Sequence, residues 1–270
     1  NKVLIVSSEL DIYRKLFKEK LPSVRAIFCH NENTASEHIV DAEIILANPT
    51  IVHRLLPHAK KLRWLQSTYA GVEKIVGCIQ KPRFILTGIK GIFGSLMSGY
   101  VFAYILALER SVITMYENQK NKNWKKIPYK LLNEKTIGIM GCGSVGQQIA
   151  KTAQYFGLKT LGYKTTQSPV DYMDSIFTYK TLPQFLSRSD YLVLALPLTI
   201  KTKNLINKKT LKMMMPTATV INVGRGELIN EKDLIAALKE KVIGHAVLDV
   251  FEEEPLPQSS PLWRMANVLV

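Results

Sequence analysis

Short apolar runs recur along the chain and alternate with amphipathic stretches. Val3-Leu4-Ile5-Val6 reads as a strand, and the following DIYRKLFKEK as a helix with Ile12, Leu16 and Phe17 on one face. VRAIFC, AEIILAN, LRWLQS and RFILTG add four strand candidates before residue 90, with helical or loop stretches between them. Residues 92 to 118 carry the pattern of one long helix, ending before the polar ENQKNKNWKKIPYK. A second series then begins: strand KTIGIMG, helix SVGQQIAKTAQYFG, strand LKTLGYK and a helix around TLPQFLS. Strands YLVLALP and ATVINVG, helix EKDLIAALKE and strand GHAVLDVF complete it. Strands alternating with helices build a mostly parallel sheet covered on both faces. The expected fold class is therefore α/β, with two doubly wound parallel-sheet domains, residues 1–90 and 91–270, and the long helix along their boundary. No fixed-period repeat and no low-complexity segment interrupts this plan.

Composition changes the picture little. Hydrophobic residues make up 47% and charged residues 21% of 270 positions, which fits globular domains with real cores and excludes a disordered chain. The formal charge of +14 raises the question of an anionic partner. The lysines are scattered rather than grouped in a basic run, so the expectation is a small phosphorylated or carboxylated molecule and no nucleic acid. Cys29, Cys78 and Cys142 are few and unpatterned, which argues against a disulfide framework or a zinc site and predicts no metal and a cytoplasmic setting. The chain opens on a strand-like NKVLIVSSEL rather than on a signal segment. Gly91 to Leu108 is free of charge over 18 residues, the lower limit for a membrane span. Its glycines and serines, and the restriction of dense apolarity to Val101–Leu108, predict a buried helix and no membrane contact.

TIGIMGCGSVGQQIA sets Gly141, Gly143 and Gly146 in G-x-G-x-x-G spacing between a predicted strand and a predicted helix. In that context the first glycine makes a tight turn, the second admits a pyrophosphate and the third lets helix pack on strand. Ser144 and Val145 open the helix, where free N–H groups and the dipole favour anions. The next strand, LKTLGYKTT, would end on an acid if it were built for the ribose 2′-hydroxyl of NAD. Lys164 stands there instead, eighteen residues after Gly146 and followed by Thr165, and a cation suits the 2′-phosphate of NADP.

VINVGRGELIN ends an apolar run on an arginine held between two glycines. Arg225 falls just past the carboxyl end of a strand, on the rim where open α/β sheets bind ligands. Its guanidinium can grip a carboxylate and polarise an adjacent carbonyl, and the flanking glycines are read as clearance for that ligand. Further on, VLDVFEEEPLP ends a strand with Asp249 and places Glu252, Glu253 and Glu254 before Pro255. From the residues alone, a solvated acidic loop explains any one of those glutamates better than chemistry does.

These segments in order, with LRWLQSTYAGVEKI, LALPLTIKTKNLIN and VLDVFEEEPLPQSSPLW, resemble the D-isomer-specific 2-hydroxyacid dehydrogenase family through nearly the whole chain. The details look closest to its glyoxylate/hydroxypyruvate reductase branch, which generally prefers NADPH. The resemblance implies a flavodoxin-like substrate domain followed by a Rossmann-type nucleotide-binding domain, and a homodimer. It makes Arg225 the substrate-binding, carbonyl-polarising arginine and Glu254 the carboxylate that orients a catalytic histidine. It implies that backbone N–H groups of Tyr69, Ala70, Gly71 and Val72 bind the substrate carboxylate. Leu196, Pro197, Thr202, Val223 and Gly224 would line the cofactor, with Asp249 at its nicotinamide end.

Two departures stand out. Gly99 occupies a position where the family usually has glutamate. The family's proton donor is a histidine in a Thr-Pro-His stretch after a strand like NVLV, and this sequence stops at Val270 before it. The segment that usually returns to the first domain also lies beyond it, so the chain is expected to bind cofactor but turn over poorly. None of His30, His38, His53 and His58 matches a catalytic position. His245 shares a strand with Asp249 but sits about 13 Å away at its far end, and reads as structural. The expected function is NADPH-dependent reduction of small 2-keto acids to D-2-hydroxy acids. The alternatives are a dinucleotide-binding regulator or scaffold on the same fold, and an NAD-linked oxidation of D-2-hydroxy acids.

Overall fold

The structure, a computed structural model, describes residues 1–78, 83–129 and 131–270. The chain forms two compact units, Asn1–Lys90 and Gly91–Val270. The first holds β1 (Val3–Val6), α1 (Leu10–Lys20), β2 (Ala26–Cys29), α2 (Glu32–Ile39), β3 (Ile44–Ala47), α3 (Pro49–Val52), β4 (Trp64–Ser67), α4 (Glu73–Cys78) and β5 (Ile85–Thr87). Among the described residues its strands form one parallel sheet in the order β2-β1-β3-β4-β5, the flavodoxin-like winding. The order reverses between β1 and β3, which makes that pair the switch point of the sheet. Leu4, Val6, Ile45, Ala47 and Leu65 point to one core, and Val3 and Ile5 to the other face.

The second unit begins with α5 (Gly94–Glu109) and α6 (Val112–Lys120). It continues through β6 (Thr136–Met140), α7 (Ser144–Tyr155), β7 (Lys159–Tyr163), β8 (Ser175–Phe177), α8 (Leu182–Ser187) and β9 (Tyr191–Leu194). It closes with α9 (Lys208–Leu211), β10 (Thr219–Asn222), α10 (Glu231–Lys239), β11 (His245–Leu248) and β12 (Val268–Leu269). Its described strands run parallel in the order β12-β11-β10-β9-β6-β7-β8. That is the Rossmann winding with one strand added, reversing between β6 and β9. The apolar runs read as strands are buried end to end in β6, β7, β9, β10 and β11, apart from their first residues, as a sheet covered on both faces requires.

Two sequence expectations are corrected, and one strand was not foreseen. The buried face of α1 is Leu10, with Tyr13 and Phe17 packed beside it, while Ile12 and Leu16 are exposed. Leu10, Tyr13 and Phe17 follow the helical i, i+3, i+7 spacing, which Ile12 does not share with them. The single long helix is two: Ser111 adopts a left-handed φ of 51°, and α6 leaves α5 at 58°. The break falls where α5 reaches the amino edge of the sheet. There Glu109 is anchored by the Tyr191 hydroxyl, and Lys135 stands 3.8 Å away. The three-residue β8 was too short to show a pattern.

Among the described residues no single helix is long and apolar enough to cross a membrane. The uncharged segment becomes α5, packed on α7 through Gly94, Ser98, Val101, Phe102 and Ile105. Small residues bring the two helices close. A β-carbon at Gly94 would lie 3.0 Å from Gln148, and Ser98 donates a 2.7 Å hydrogen bond to Thr152.

Candidate active site

The carboxyl rim of the seven-stranded sheet gathers the residues selected for the cofactor, together with Arg225 and Glu254. β6 ends at Met140, and the next residues carry the three glycines. Gly141 has a φ of 103°, and a side chain there would overlap the Ala195 carbonyl. One at Gly146 would overlap the carbonyl of Gly141, so this glycine is what lets α7 sit on the strand. Gly143 differs, because nothing lies within 4 Å of where its β-carbon would be. The loop thus keeps an open cradle at the N-terminus of α7, with Ser144 exposed and Val145 partly buried. No acidic residue and no side-chain cap occupies the first turn of α7. This donor set fits a pyrophosphate, which needs close backbone approach and unopposed amides.

Lys164 is the first residue past β7, and its backbone N–H donates to Phe177. Its ammonium donates to Ser168 Oγ at 2.9 Å, a partner that the sequence did not single out. Thr165 is exposed beside it. Cys142, inside the glycine loop, turns its thiol to the Tyr163 carbonyl at 3.7 Å, and burial pushes the thiol up from its ordinary value. Leu196 and Pro197 follow β9, and Thr202 Oγ1 donates to the Pro197 carbonyl at 2.7 Å, pinning that loop.

Beyond β10, the buried Asn222 organises the arginine turn. Its side chain accepts from Gly224 N at 3.1 Å and donates to the Arg225 carbonyl at 2.8 Å. Val223 and Gly224 lead into Arg225, which is partly buried, extended at φ −142°, and donates Nη1 to the Gly224 carbonyl at 2.7 Å. The flanking glycines prove to be packing positions rather than clearance for a ligand. A side chain at Gly224 would meet Leu228 at 2.9 Å and two carbonyls at 3.1 and 3.2 Å. One at Gly226 would overlap the Phe251 carbonyl, so the arginine turn lies directly against the loop that carries the glutamates.

That loop separates its acids by role. Glu252 accepts from the Glu231 amide at 3.0 Å and so caps α10. Glu254 accepts from Phe251 N at 3.0 Å. Asp249 is exposed at the end of β11, and its carboxyl is held above the usual range by desolvation and by Glu254. His245 stands at the opposite end of the same strand.

In the first unit, Ser67 at the end of β4 is fully buried. Its hydroxyl donates to the Tyr69 carbonyl at 2.7 Å and accepts the Tyr69 amide at 3.1 Å. The Tyr69 amide is therefore occupied. Among the described residues the amides of Ala70 and Gly71 have no protein partner, and Val72 leads into α4.

Residues 102–270 match the family model described as D-isomer specific 2-hydroxyacid dehydrogenase, NAD binding domain. The chain is 33% identical over 242 residues to a glyoxylate reductase of Pyrococcus furiosus, covering 86% of this chain and 71% of the relative. Its fold matches a D-isomer specific 2-hydroxyacid dehydrogenase family protein of Aeromonas salmonicida at 38% identity and a TM-score of 0.90, over 99% of this chain and 87% of the other. It also matches an NADPH-dependent glyoxylate/hydroxypyruvate reductase of Sinorhizobium meliloti, solved with NADP and sulfate, at 25% identity and a TM-score of 0.90, over 100% and 87% of the two chains. The chain belongs to the D-isomer specific 2-hydroxyacid dehydrogenase family. It is an oxidoreductase with an NAD(P)-binding domain.

Proposed function

We propose that the protein reduces small 2-keto acids of the glyoxylate and hydroxypyruvate type to D-2-hydroxy acids, with NADPH as the preferred reductant. The observation that carries this reading is the interlock of the Arg225 turn with the Phe251–Glu254 loop, on the same rim as an open glycine loop and a cation after β7. The sequence likeness to a glyoxylate reductase and the NADP-bound neighbour support it.

Gly141, Gly143, Ser144, Val145 and Gly146 would hold the pyrophosphate. Lys164 and Thr165 would meet the 2′-phosphate, and Leu196, Pro197, Thr202, Val223, Gly224 and Asp249 would line the remainder. When bound, the cofactor supplies a hydride to the substrate's carbonyl carbon. Arg225 would hold a substrate carboxylate and draw electron density from the carbonyl oxygen, and in the first unit the amides of Ala70 and Gly71 would serve as carboxylate donors. Glu254 would orient and charge the proton-donating histidine that the family resemblance implies. His245 cannot be that histidine, because it lies a strand's length from the rim, about 13 Å.

We also propose a cytoplasmic homodimer. Exposed Val112, Ile113, Met115 and Tyr116 on α6, with Trp124 fully exposed beyond it, support that assembly. Titration of the protein with NADPH and NADH tests the cofactor reading. Tighter binding of NADPH, abolished by Lys164→Glu, is expected, whereas equal binding of the two would overturn it. Binding of duplex DNA at physiological salt would instead favour a regulator.

A further inference from the structure

The rim of the first unit's sheet holds a group of side chains that the reading above does not use. The sheet reverses its winding between β1 and β3, and ligands of open parallel sheets bind outside the carboxyl ends of strands at such points. At the end of β1, Ser7 is buried and its hydroxyl accepts the amide of Glu9 at 3.1 Å. At the end of β4, buried Ser67 accepts the amide of Tyr69 at 3.1 Å. The same device thus appears on both sides of β3: a buried serine fixes the backbone of the residue two positions on. Asn48, at the end of β3 between them, is spent on Thr50, accepting from its amide at 2.9 Å and its hydroxyl at 2.8 Å.

Glu9 and Tyr69 are therefore held in place from opposite sides of the switch point. Tyr69 is 56% exposed although its backbone is pinned, so its ring is presented rather than packed away. Glu9 precedes α1 as its N-cap residue, but its side chain makes no capping hydrogen bond. Tyr13, one turn into α1, is partly buried, and helix geometry tilts its side chain back toward the N-terminal end of α1, where Glu9 lies. Its hydroxyl is within electrostatic reach of both Glu9 and Tyr69, and burial with these neighbours holds the phenol above its ordinary value. A phenol is a neutral hydrogen-bond donor at working pH, and Glu9 lies one helical turn from it.

We propose that Glu9, Tyr13 and Tyr69 form a substrate-selecting group that accepts a neutral hydroxyl on C3 of the keto acid and rejects a second carboxylate. Two phenols and a carboxylate offer donors and acceptors to a hydroxyl. A dicarboxylic keto acid would bring a like charge toward Glu9. The inference rests on the reductase reading and on the Ala70–Gly71 loop binding the substrate carboxylate one residue from Tyr69.

The experiment measures kcat/KM of the complete protein with NADPH for hydroxypyruvate, pyruvate and oxaloacetate. Pyruvate differs from hydroxypyruvate only by the hydroxyl, and oxaloacetate adds the second carboxylate. The wild type is expected to order them hydroxypyruvate, pyruvate, oxaloacetate. Tyr13→Phe should lower the hydroxypyruvate-to-pyruvate ratio about fivefold or more, the worth of one hydrogen bond. Glu9→Gln should raise the oxaloacetate-to-pyruvate ratio by about tenfold as the like charge is removed. Both ratios staying within twofold of wild type would overturn the proposal while leaving the reductase reading intact. Absence of turnover with all three acids in the wild type would overturn both.

Discussion

Gly226 and Phe251 are in backbone contact so close that no side chain fits between them, and this contact sets the loop of Arg225 against the loop of Glu254. Arg225 and Glu254 are 29 residues apart in sequence, and their loops meet at a glycine whose φ is not positive. Close approach is its reason for being glycine. Gly226→Ala is expected to push the two loops apart, costing about 1–3 kcal/mol of stability and a larger share of kcat/KM than of cofactor affinity. Denaturant unfolding together with NADPH titration checks this. Unchanged unfolding would show that the contact is slack.

Gly99 supplies the opposite case. It is exposed in the middle of α5, with nothing within 4 Å of its missing β-carbon. Gly99→Ala should stabilise the protein by up to about 1 kcal/mol, the helix-propensity difference, with no effect on cofactor binding. A rise in the denaturation midpoint is the readout.

Arg225→Lys keeps the charge but loses the planar fork that can bind a carboxylate by two hydrogen bonds. A loss of about 100-fold or more in kcat/KM for a 2-keto acid is expected, with NADPH affinity nearly unchanged. Steady-state kinetics beside cofactor titration separates the two effects.

Asp249 yields a pH-dependent expectation. Desolvation and Glu254 raise its carboxyl above the usual value, so ionising it costs the folded state more than the unfolded one. That penalty is fully present above the folded-state pKa and disappears as pH falls below the unfolded value, where both states are protonated. Asp249→Asn should therefore raise Tm at neutral pH and lose that advantage near pH 3, about a unit below the ordinary carboxyl value. Thermal melts across this range decide it.

At the opposite edge of the sheet, Glu109 accepts from the Tyr191 hydroxyl and lies 3.8 Å from Lys135, which also reaches Asp190 at 3.1 Å. Side-chain exposures of 14–20% make this a buried network rather than a surface pair. Glu109→Ala leaves a buried phenol unsatisfied and should cost about 2–3 kcal/mol, against about 1 kcal/mol for Tyr191→Phe, which leaves Glu109 beside Lys135. Chemical unfolding of the two variants orders them.

The strands and most helices were legible because their apolar runs are bounded by glycine, proline and polar turns. The glycine loop was legible because each glycine does a separate geometric task that fixes its spacing. What stayed hidden required knowing which segments meet. Nothing near Gly226 announces Phe251, and nothing near Glu252 announces the α10 amide it caps. The break at Ser111 was invisible for the same reason: α5 ends where Tyr191 and Lys135, remote in sequence, lie against Glu109. The α1 face was misread because Ile12 and Leu16 are apolar without being inward. Periodicity ranks faces by composition and cannot see which one the sheet covers.

We propose that Lys164, Arg225 and Glu254 make this family member an NADPH-dependent reductase of small 2-keto acids. The most direct test of this proposal is the rate of oxidation of NADPH and of NADH by the complete protein with glyoxylate and with hydroxypyruvate. Turnover of both acids with kcat/KM favouring NADPH by about tenfold or more is the predicted result. No turnover of either acid, or a preference for NADH, would contradict it.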